Sequence, residues 1–202
     1  MGTLEYYQRN AKEFFSQTIN VDMQNVYHPF LEYLPKTHLS NQQKILDVGC
    51  GSGRDSVFFA NQGFEVVAID GSQNVIDLAK QTDTRIDWQC LRFHEIAKKS
   101  WQNQFTGIWA CASLLHVPFD DLTKLLSDLI LCIKPDGILY ASFKYGDAER
   151  EKNGRFFCDM NEQRWKLIEE QLDSAKALKL WQTIDNRMDK RDIWWNVLLK
   201  IY

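Results

Sequence analysis

Apolar positions recur at spacings of three and four at the start of the chain. Leu4, Tyr7, Ala11, Phe14 and Phe15 share one side of residues 4–18, which predicts an amphipathic helix with an aromatic face. A second helical stretch, residues 23–34, lines up Val26, Tyr27, Phe30, Leu31 and Leu34 and stops at Pro35. The pattern then changes. Ile45, Leu46 and Val48 form a short apolar run, the mark of a buried strand, and lead straight into Gly49-Cys50-Gly51-Ser52-Gly53. Helical spacing resumes through Val57, Phe58 and Ala60, Gly63 ends it, and residues 65–70 read as a second strand. The unit is strand, glycine turn, helix, parallel strand.

The alternation continues downstream. Gly71 and Ser72 supply a turn and an N-cap for a helix through Val75, Ile76, Leu78 and Ala79. Residues 85–90 and 107–111 read as a third and a fourth strand, and residues 120–132 as an amphipathic helix with Leu122, Leu125, Leu126, Leu129 and Ile130 inward. Pro135-Asp136-Gly137 is expected to turn the chain into a fifth strand, residues 138–143. Residues 144–157 read as a polar loop of alternating charge, too long for a bare connection and so expected to carry function. Asn161 or Asp159 caps a helix through Trp165, Leu167, Ile168 and Leu172. Residues 178–184 and 193–201 are two further strands, forming the antiparallel end of the sheet, with Trp194 and Trp195 on opposite faces of the last. The expectation is one α/β domain over residues 1–202: a doubly wound, mostly parallel sheet of about seven strands with helices on both faces. Residues 1–40 form its helical scaffold or lid, and residues 144–160 a substrate loop.

Composition narrows the function. With 202 residues, 45% of them hydrophobic, the chain can bury one substantial core. Its 24 basic and 27 acidic side chains include no dense basic run, which argues against nucleic acid as a partner. Five cysteines without C-x-x-C spacing point away from disulfides and structural zinc and toward a reducing compartment. His28 and His38 have no partners at metal-ligand spacing, so no metal site is expected. A polar N-terminus and the lack of a spanning apolar run lead to the expectation of a cytoplasmic, membrane-free protein, monomeric or homodimeric.

The glycine unit carries the chemistry. Its glycines let backbone N–H groups approach a ligand closely, and Asp70, ending the second strand, can accept hydrogen bonds from ribose hydroxyls. A dinucleotide loop reads G-x-G-x-x-G, whereas here Arg54 stands at the third glycine position. Asp47, two residues before the loop, would repel a pyrophosphate and suits a cation. A cationic nucleoside fits best.

Ile45 to Gly53, reading ILDVGCGSG, resembles motif I of the class I methyltransferases that use S-adenosylmethionine (SAM). The resemblance continues through Asp70, Trp109 to Pro118 and Lys134 to Tyr140, and is similar to small bacterial enzymes of the tellurite-resistance type. It implies methyl transfer from SAM, leaving S-adenosylhomocysteine; the lack of a large insertion suggests a small acceptor, and the cations of residues 144–157 suit an anionic one. The resemblance implies that Asp47, Gly49, Gly51 and Gly53 hold the amino acid portion of SAM, that Cys50 and Arg54 of the same turn also contact the cofactor, and that Asp70, Gly71 and Ser72 lie at the ribose. Phe93 would pack the adenine, and the backbone of Ala112, Ser113 and Leu114 would face the sulfonium. In such enzymes a tyrosine of the N-terminal helix faces SAM, and Tyr6 and Tyr7 are the matching positions. His116 is the histidine at the reaction corner, able to take a proton or simply to line the pocket. Tyr6, His116, Lys144, Arg150 and Arg155 are the candidate acceptor ligands, Arg155 by a glycine-arginine-aromatic step like that of small bacterial relatives. Two positions depart from the pattern: Arg92, where an acidic residue accepts from adenine, and Thr106, where an aspartate often precedes the fourth strand. Two alternatives stay open, a SAM-binding regulator without turnover and a nicotinamide-dependent oxidoreductase, the latter opposed by Arg54 and Asp47.

Overall fold

The structure is a computed structural model that describes residues 2–36, 43–187 and 190–202; His38 lies outside the described residues. Helices α1 (Thr3–Thr18) and α2 (Gln24–Tyr33) precede the first strand, β1 (Lys44–Val48). Then follow α3 (Arg54–Asn61), β2 (Glu65–Asp70), α4 (Gln73–Ala79), β3 (Asp87–Cys90), β4 (Phe105–Ala110), α5 (Phe119–Ile130) and β5 (Ile133–Lys144). The chain closes with β6 (Glu149–Lys152), β7 (Arg155–Cys158), α6 (Glu162–Glu169), β8 (Ala175–Ile184) and β9 (Ile193–Ile201). Seven strands form the main sheet in the order β3-β2-β1-β4-β5-β9-β8. The first five are mutually parallel, and β9 and β8 join antiparallel as expected.

Strand parity explains the two cores. Ile45 points to the side of α2 and α3 while Leu46 and Val48 point to the side of α5, and Val66 and Ala68 alternate with Val67 and Ile69 in the same way. Both faces are covered, so these strands are apolar runs rather than alternating ones. One face centres on Trp109, stacked on Tyr140 at 4.0 Å between ring centroids and flanked by Phe30 and Phe59. The other is filled by the leucines of α5 with Trp165 and Ile168 of α6.

Two expectations are corrected. Pro135-Asp136-Gly137 does not turn the chain into β5. The strand already begins at Ile133, paired with Phe105, and the triplet is looped out before Ile138 pairs with Gly107. Asp136, with φ of 64°, makes this kink possible. Nor is 144–157 an open loop: β6 and β7 pair as a hairpin whose two-residue turn is Asn153-Gly154, both at positive φ. Asn-Gly is the sequence signal of such a turn. Here its flanks are charged rather than alternately apolar, which hid it. Of the two proposed caps for α6, Asn161 accepts from the Arg164 amide at 2.9 Å.

Candidate active site

The turn after β1 lies where the strand order reverses between β1 and β4, the crevice in which open α/β sheets bind ligands. The amides of Gly49 and Cys50 donate to the Ile69 carbonyl at 2.8 and 2.9 Å, tying the turn to β2. Gly49 and Gly51 have φ of 73° and 55°. A Cβ on Gly49 would fall 2.4 Å from Ser113 Cβ, and one on Gly51 would fall 3.0 Å from the Phe14 ring. These two glycines form the cradle. Gly53 has another task, since its Cβ would strike Trp88 at 2.6 Å, and it lines neither cavity described below.

A first cavity of about 280 Å³ opens over this turn, bounded by Leu4, Gly49, Gly51, Asp70, Phe93 and Ser113 among others. Asp70 Oδ2 accepts the Gly51 amide at 3.2 Å and Oδ1 the Ser72 amide at 2.8 Å. Burial pushes its carboxyl up to about 6 although both amides favour the ionised form. Ser113 Oγ is buried without a partner at the wall of this cavity. Gly71 and the exposed Arg92 border it as well. Ser72 and Leu114 do not: Ser72 is buried, caps α4 by accepting the Val75 amide and donates to Gln8, while Leu114 belongs to the core. Ser72 thus caps α4 as expected, and of the three backbone positions expected at the sulfonium, Ala112 and Ser113 border this cavity while Leu114 does not.

Asp47 requires a third correction. Parity places it on the α3 face with Ile45, where Ser56 donates to it at 2.5 Å, and it is only 2% exposed. Burial holds its carboxyl well above the usual carboxylate range, and its place is beneath the turn rather than beside it. An acid that the sequence reading passed over, Asp55 in the first turn of α3, does reach a cavity wall, that of the second cavity described below. It accepts from Tyr27 Oη at 2.5 Å and Trp109 Nε1 at 2.9 Å and pairs with Arg54 through both oxygens. The Arg54 guanidinium keeps it ionised against the desolvation that opposes it.

A second cavity of about 310 Å³ lies beyond the turn, reaching Cys50, Arg54, Tyr140, Ser142, Phe157 and Trp194. The two cavities share Tyr7, Phe14, Gly49, Gly51, Ala112 and His116 as a common wall. At that wall Ala112 is held at φ of 52°, a left-handed conformation unusual for alanine, and its amide donates to Ser142 Oγ at 2.8 Å. His116 Nδ1 lies 2.6 Å from the Phe156 carbonyl, so that nitrogen carries the hydrogen. Its Nε2, 2.9 Å from Tyr7 Oη, is then the acceptor of the phenol's proton. Burial lowers His116 to about 4. Phe156 also donates its amide to Thr3 Oγ1 at 2.9 Å, so one residue of β7 fastens both α1 and His116.

Cations crowd the second cavity. Arg155 lies over the rings of Tyr6, Phe157 and Tyr7, at 4.4, 5.2 and 5.9 Å from their centroids, with its Nε buried and unpartnered. Lys144 is ion-paired to Asp192 and lies over Trp194, and Arg150 grips Asp159 through two contacts of 2.8 Å. Both line the cavity with their charge already matched. Tyr6 stands behind Arg155 and lines neither cavity. Ser142 and the Phe156 carbonyl escaped the sequence reading: one sits within an apolar strand, and the other is a main-chain group that no side-chain pattern marks. Among the described residues no helix is long and apolar enough to cross a membrane.

Comparison with known proteins agrees with this geometry. Residues 45–137 match the methyltransferase domain family. Ubiquinone biosynthesis O-methyltransferase of Coxiella burnetii is 33% identical over 117 residues, 55% of this chain and 48% of that protein. The chain thus spans about half the length of the curated relatives it matches. Among solved structures, Burkholderia thailandensis 1,6-didemethyltoxoflavin-N1-methyltransferase, with its substrate and S-adenosylhomocysteine bound, superposes with a TM-score of 0.74. That match has 17% identity and covers 98% of this chain and 84% of that one. Magnesium protoporphyrin IX methyltransferase of Synechocystis PCC 6803, with SAM bound, gives 0.71 at 15% identity, covering 98% and 95%. The chain therefore carries a methyltransferase-domain match over residues 45–137 within the seven-stranded, Rossmann-like fold of the class I methyltransferases.

Proposed function

We propose that this protein binds SAM at the glycine turn and transfers its methyl group to a small, anionic acceptor held in the neighbouring cavity. The observation that carries this reading is the shared wall: two cavities meet at Tyr7, Gly49, Gly51, Ala112 and His116. One cavity has the chemistry of a nucleoside site and the other that of an anion site.

The residues present fit the cofactor. Asp70 offers a carboxylate to ribose hydroxyls, Phe93 offers a ring face to adenine, and Ser113 Oγ is a buried hydroxyl still lacking a partner. The cradle at Gly49 and Gly51 leaves room that any side chain would fill. The Gly51 and Ser52 backbone and Asp55, beside Arg54, border the second cavity, where the amino acid portion would extend. When bound, SAM supplies an electrophilic methyl on a sulfonium, which leaves as a neutral sulfide. The protein's task is then alignment. Holding two reactants in line contributes about 7 to 11 kcal/mol, more than the roughly 10²- to 10⁴-fold of a single proton-transfer group.

Acceptor charge is read from Arg155. Its guanidinium is packed against aromatic rings with a buried, unpartnered Nε, and a carboxylate or other oxyanion satisfies it. Calorimetry with S-adenosylhomocysteine, followed by a labelled-SAM turnover screen over metabolites and metalloid oxyanions, tests the reading. Micromolar binding and a labelled anionic product are expected. Binding of NADH with no response to S-adenosylhomocysteine would sink it. Arg155→Ala should raise the acceptor KM about tenfold or more and leave cofactor affinity unchanged; equal losses in both would make β7 purely structural.

A further inference from the structure

The proposed function leaves open which atom of the acceptor is methylated and where its proton goes. The contact between Tyr7 and His116 bears on both. It lies in the wall common to the two cavities, where the reacting groups of donor and acceptor would meet. Its direction is fixed from outside the pair. The Phe156 carbonyl accepts from His116 Nδ1, which leaves Nε2 as a lone pair facing the Tyr7 hydroxyl. A histidine so held cannot donate into the cavity. It can only receive a proton, and it receives one through tyrosine.

We propose that Tyr7 and His116 form a proton-accepting pair for an acceptor bearing a phenolic or enolic hydroxyl. Tyr7 Oη takes the acceptor's proton while passing its own to His116 Nε2. The inference rests on the proposed methyl transfer and specifies its substrate class. The acceptor oxygen's freed electron pair forms the bond to the methyl carbon, and the pair of the broken carbon–sulfur bond stays on sulfur. His116 gains a positive charge as the sulfonium loses one, so the total charge of the site is unchanged.

Other nucleophiles fit the surroundings less well. A thiol ionises without help, and a carboxylate or inorganic oxyanion has no proton to give up. An amine enters as an ammonium, which the cationic rim around Arg155 opposes. A hydroxyl of intermediate acidity is the group that needs a relay.

The groups facing the pair are Arg155 from β7, Tyr6 from α1 and Asp70 from the end of β2. Burial raises Tyr7 above its ordinary value and Asp70 adds to this, while Arg155 beside it acts in the opposite direction. Arg155 thereby serves as a tuning group for the phenol as well as a ligand for the acceptor's anionic end. Burial also keeps His116 neutral at physiological pH, with the Nε2 lone pair free. Burial and Arg155 both weaken it as a base, so it takes the proton only as the charge of the sulfonium is lost.

Nitrogen NMR of cofactor-free protein labelled at histidine, with His116 assigned by His116→Gln, tests the pair without any turnover. The proposal expects the neutral Nδ1–H form from pH 8 down to 5, and a changed Nε2 resonance in Tyr7→Phe. The Nε2–H form, or titration near the ordinary value with no response to Tyr7→Phe, overturns it. The kinetic arm compares 3-hydroxybenzoate with 3-mercaptobenzoate as acceptor probes. Tyr7→Phe and His116→Gln should lower the phenol-to-thiol turnover ratio by about 10²- to 10⁴-fold. An unchanged ratio overturns the proposal. Calorimetry with S-adenosylhomocysteine separates the two levels. If it binds and the NMR or the ratio disagrees, the proton-accepting pair fails alone; if it does not bind, the methyl-transfer reading fails and takes the pair with it.

Discussion

Asp70 and His116 are both ionisable groups forced by burial toward their neutral forms, and the consequences run in different directions. For Asp70 the carboxyl sits near 6, and only its ionised form can accept from two ribose hydroxyls. Affinity for S-adenosylhomocysteine should therefore be full above pH 7 and fall about tenfold for each unit below 6. Calorimetry at pH 7.5 and 5 measures this. Asp70→Asn should bind weakly at both values and show no such slope. For His116 the folded value is about 4 against an ordinary 6.5, so the unfolded chain takes up a proton first on acidification. Its contribution to stability is present above pH 6.5 and is lost as pH falls toward 4. Urea unfolding at pH 7.5 and 5 should show a smaller loss in His116→Gln than in the unaltered protein. Equal losses would mean that the imidazole is solvated when folded.

At the scale of elements, the hairpin of β6 and β7 is where residues distant in sequence are brought into register. Its strand β7 presents Arg155 to the second cavity, and the next residue fastens Thr3 of α1 and His116 through its own amide and carbonyl. The turn Asn153-Gly154 sets that register, with Lys152 opposite Arg155. Gly154→Ala places a Cβ at φ of 74°, a strain of about 1–2 kcal/mol. Denaturant unfolding should show that loss, and the acceptor KM should rise while S-adenosylhomocysteine affinity holds. A variant with unaltered KM would detach the hairpin from acceptor binding.

The same element shows what could be read in advance. Strands β1, β2 and β4 were legible because burial on both faces makes a parallel strand an uninterrupted apolar run. The glycine cradle and Asp70 were legible because turn and strand end fix their places in the chain. Arg155 could be singled out as a cation, but its aromatic surroundings come from α1 and β7 together. Asp47 was misjudged because its distance from the glycines along the chain says nothing about which face of the strand it occupies; Ser56 claims it. The partnership of Tyr7 with His116 spans the length between α1 and the turn after β4, and no local period records it.

For the molecule as a whole, the helix that closes both cavities is anchored with little apolar burial. Of the 16 residues of α1 only Ala11 is buried, yet Tyr7 and Phe14 of this helix line both cavities. The helix is held from its polar side instead. Gln8 accepts from Ser72 at 2.8 Å, its carbonyl accepts from Asn74 at 2.7 Å, and Thr3 accepts from Phe156 at 2.9 Å. Segments with few buried apolar contacts open locally at low cost, whereas β1 and β4 open only with the global core. A ligand that fills the space beneath α1 binds only while the helix is closed. At a concentration 100 times its Kd it therefore stabilises that closed form by about 2.7 kcal/mol. Hydrogen exchange should report this as a slowing of about 100-fold at the amides of α1 when S-adenosylhomocysteine is added, with β1 and β4 much less changed. Exchange in α1 as slow as in β1 before any ligand is added would instead make the helix a fixed wall, and the cofactor would need an entry path from the side of α2 and β8.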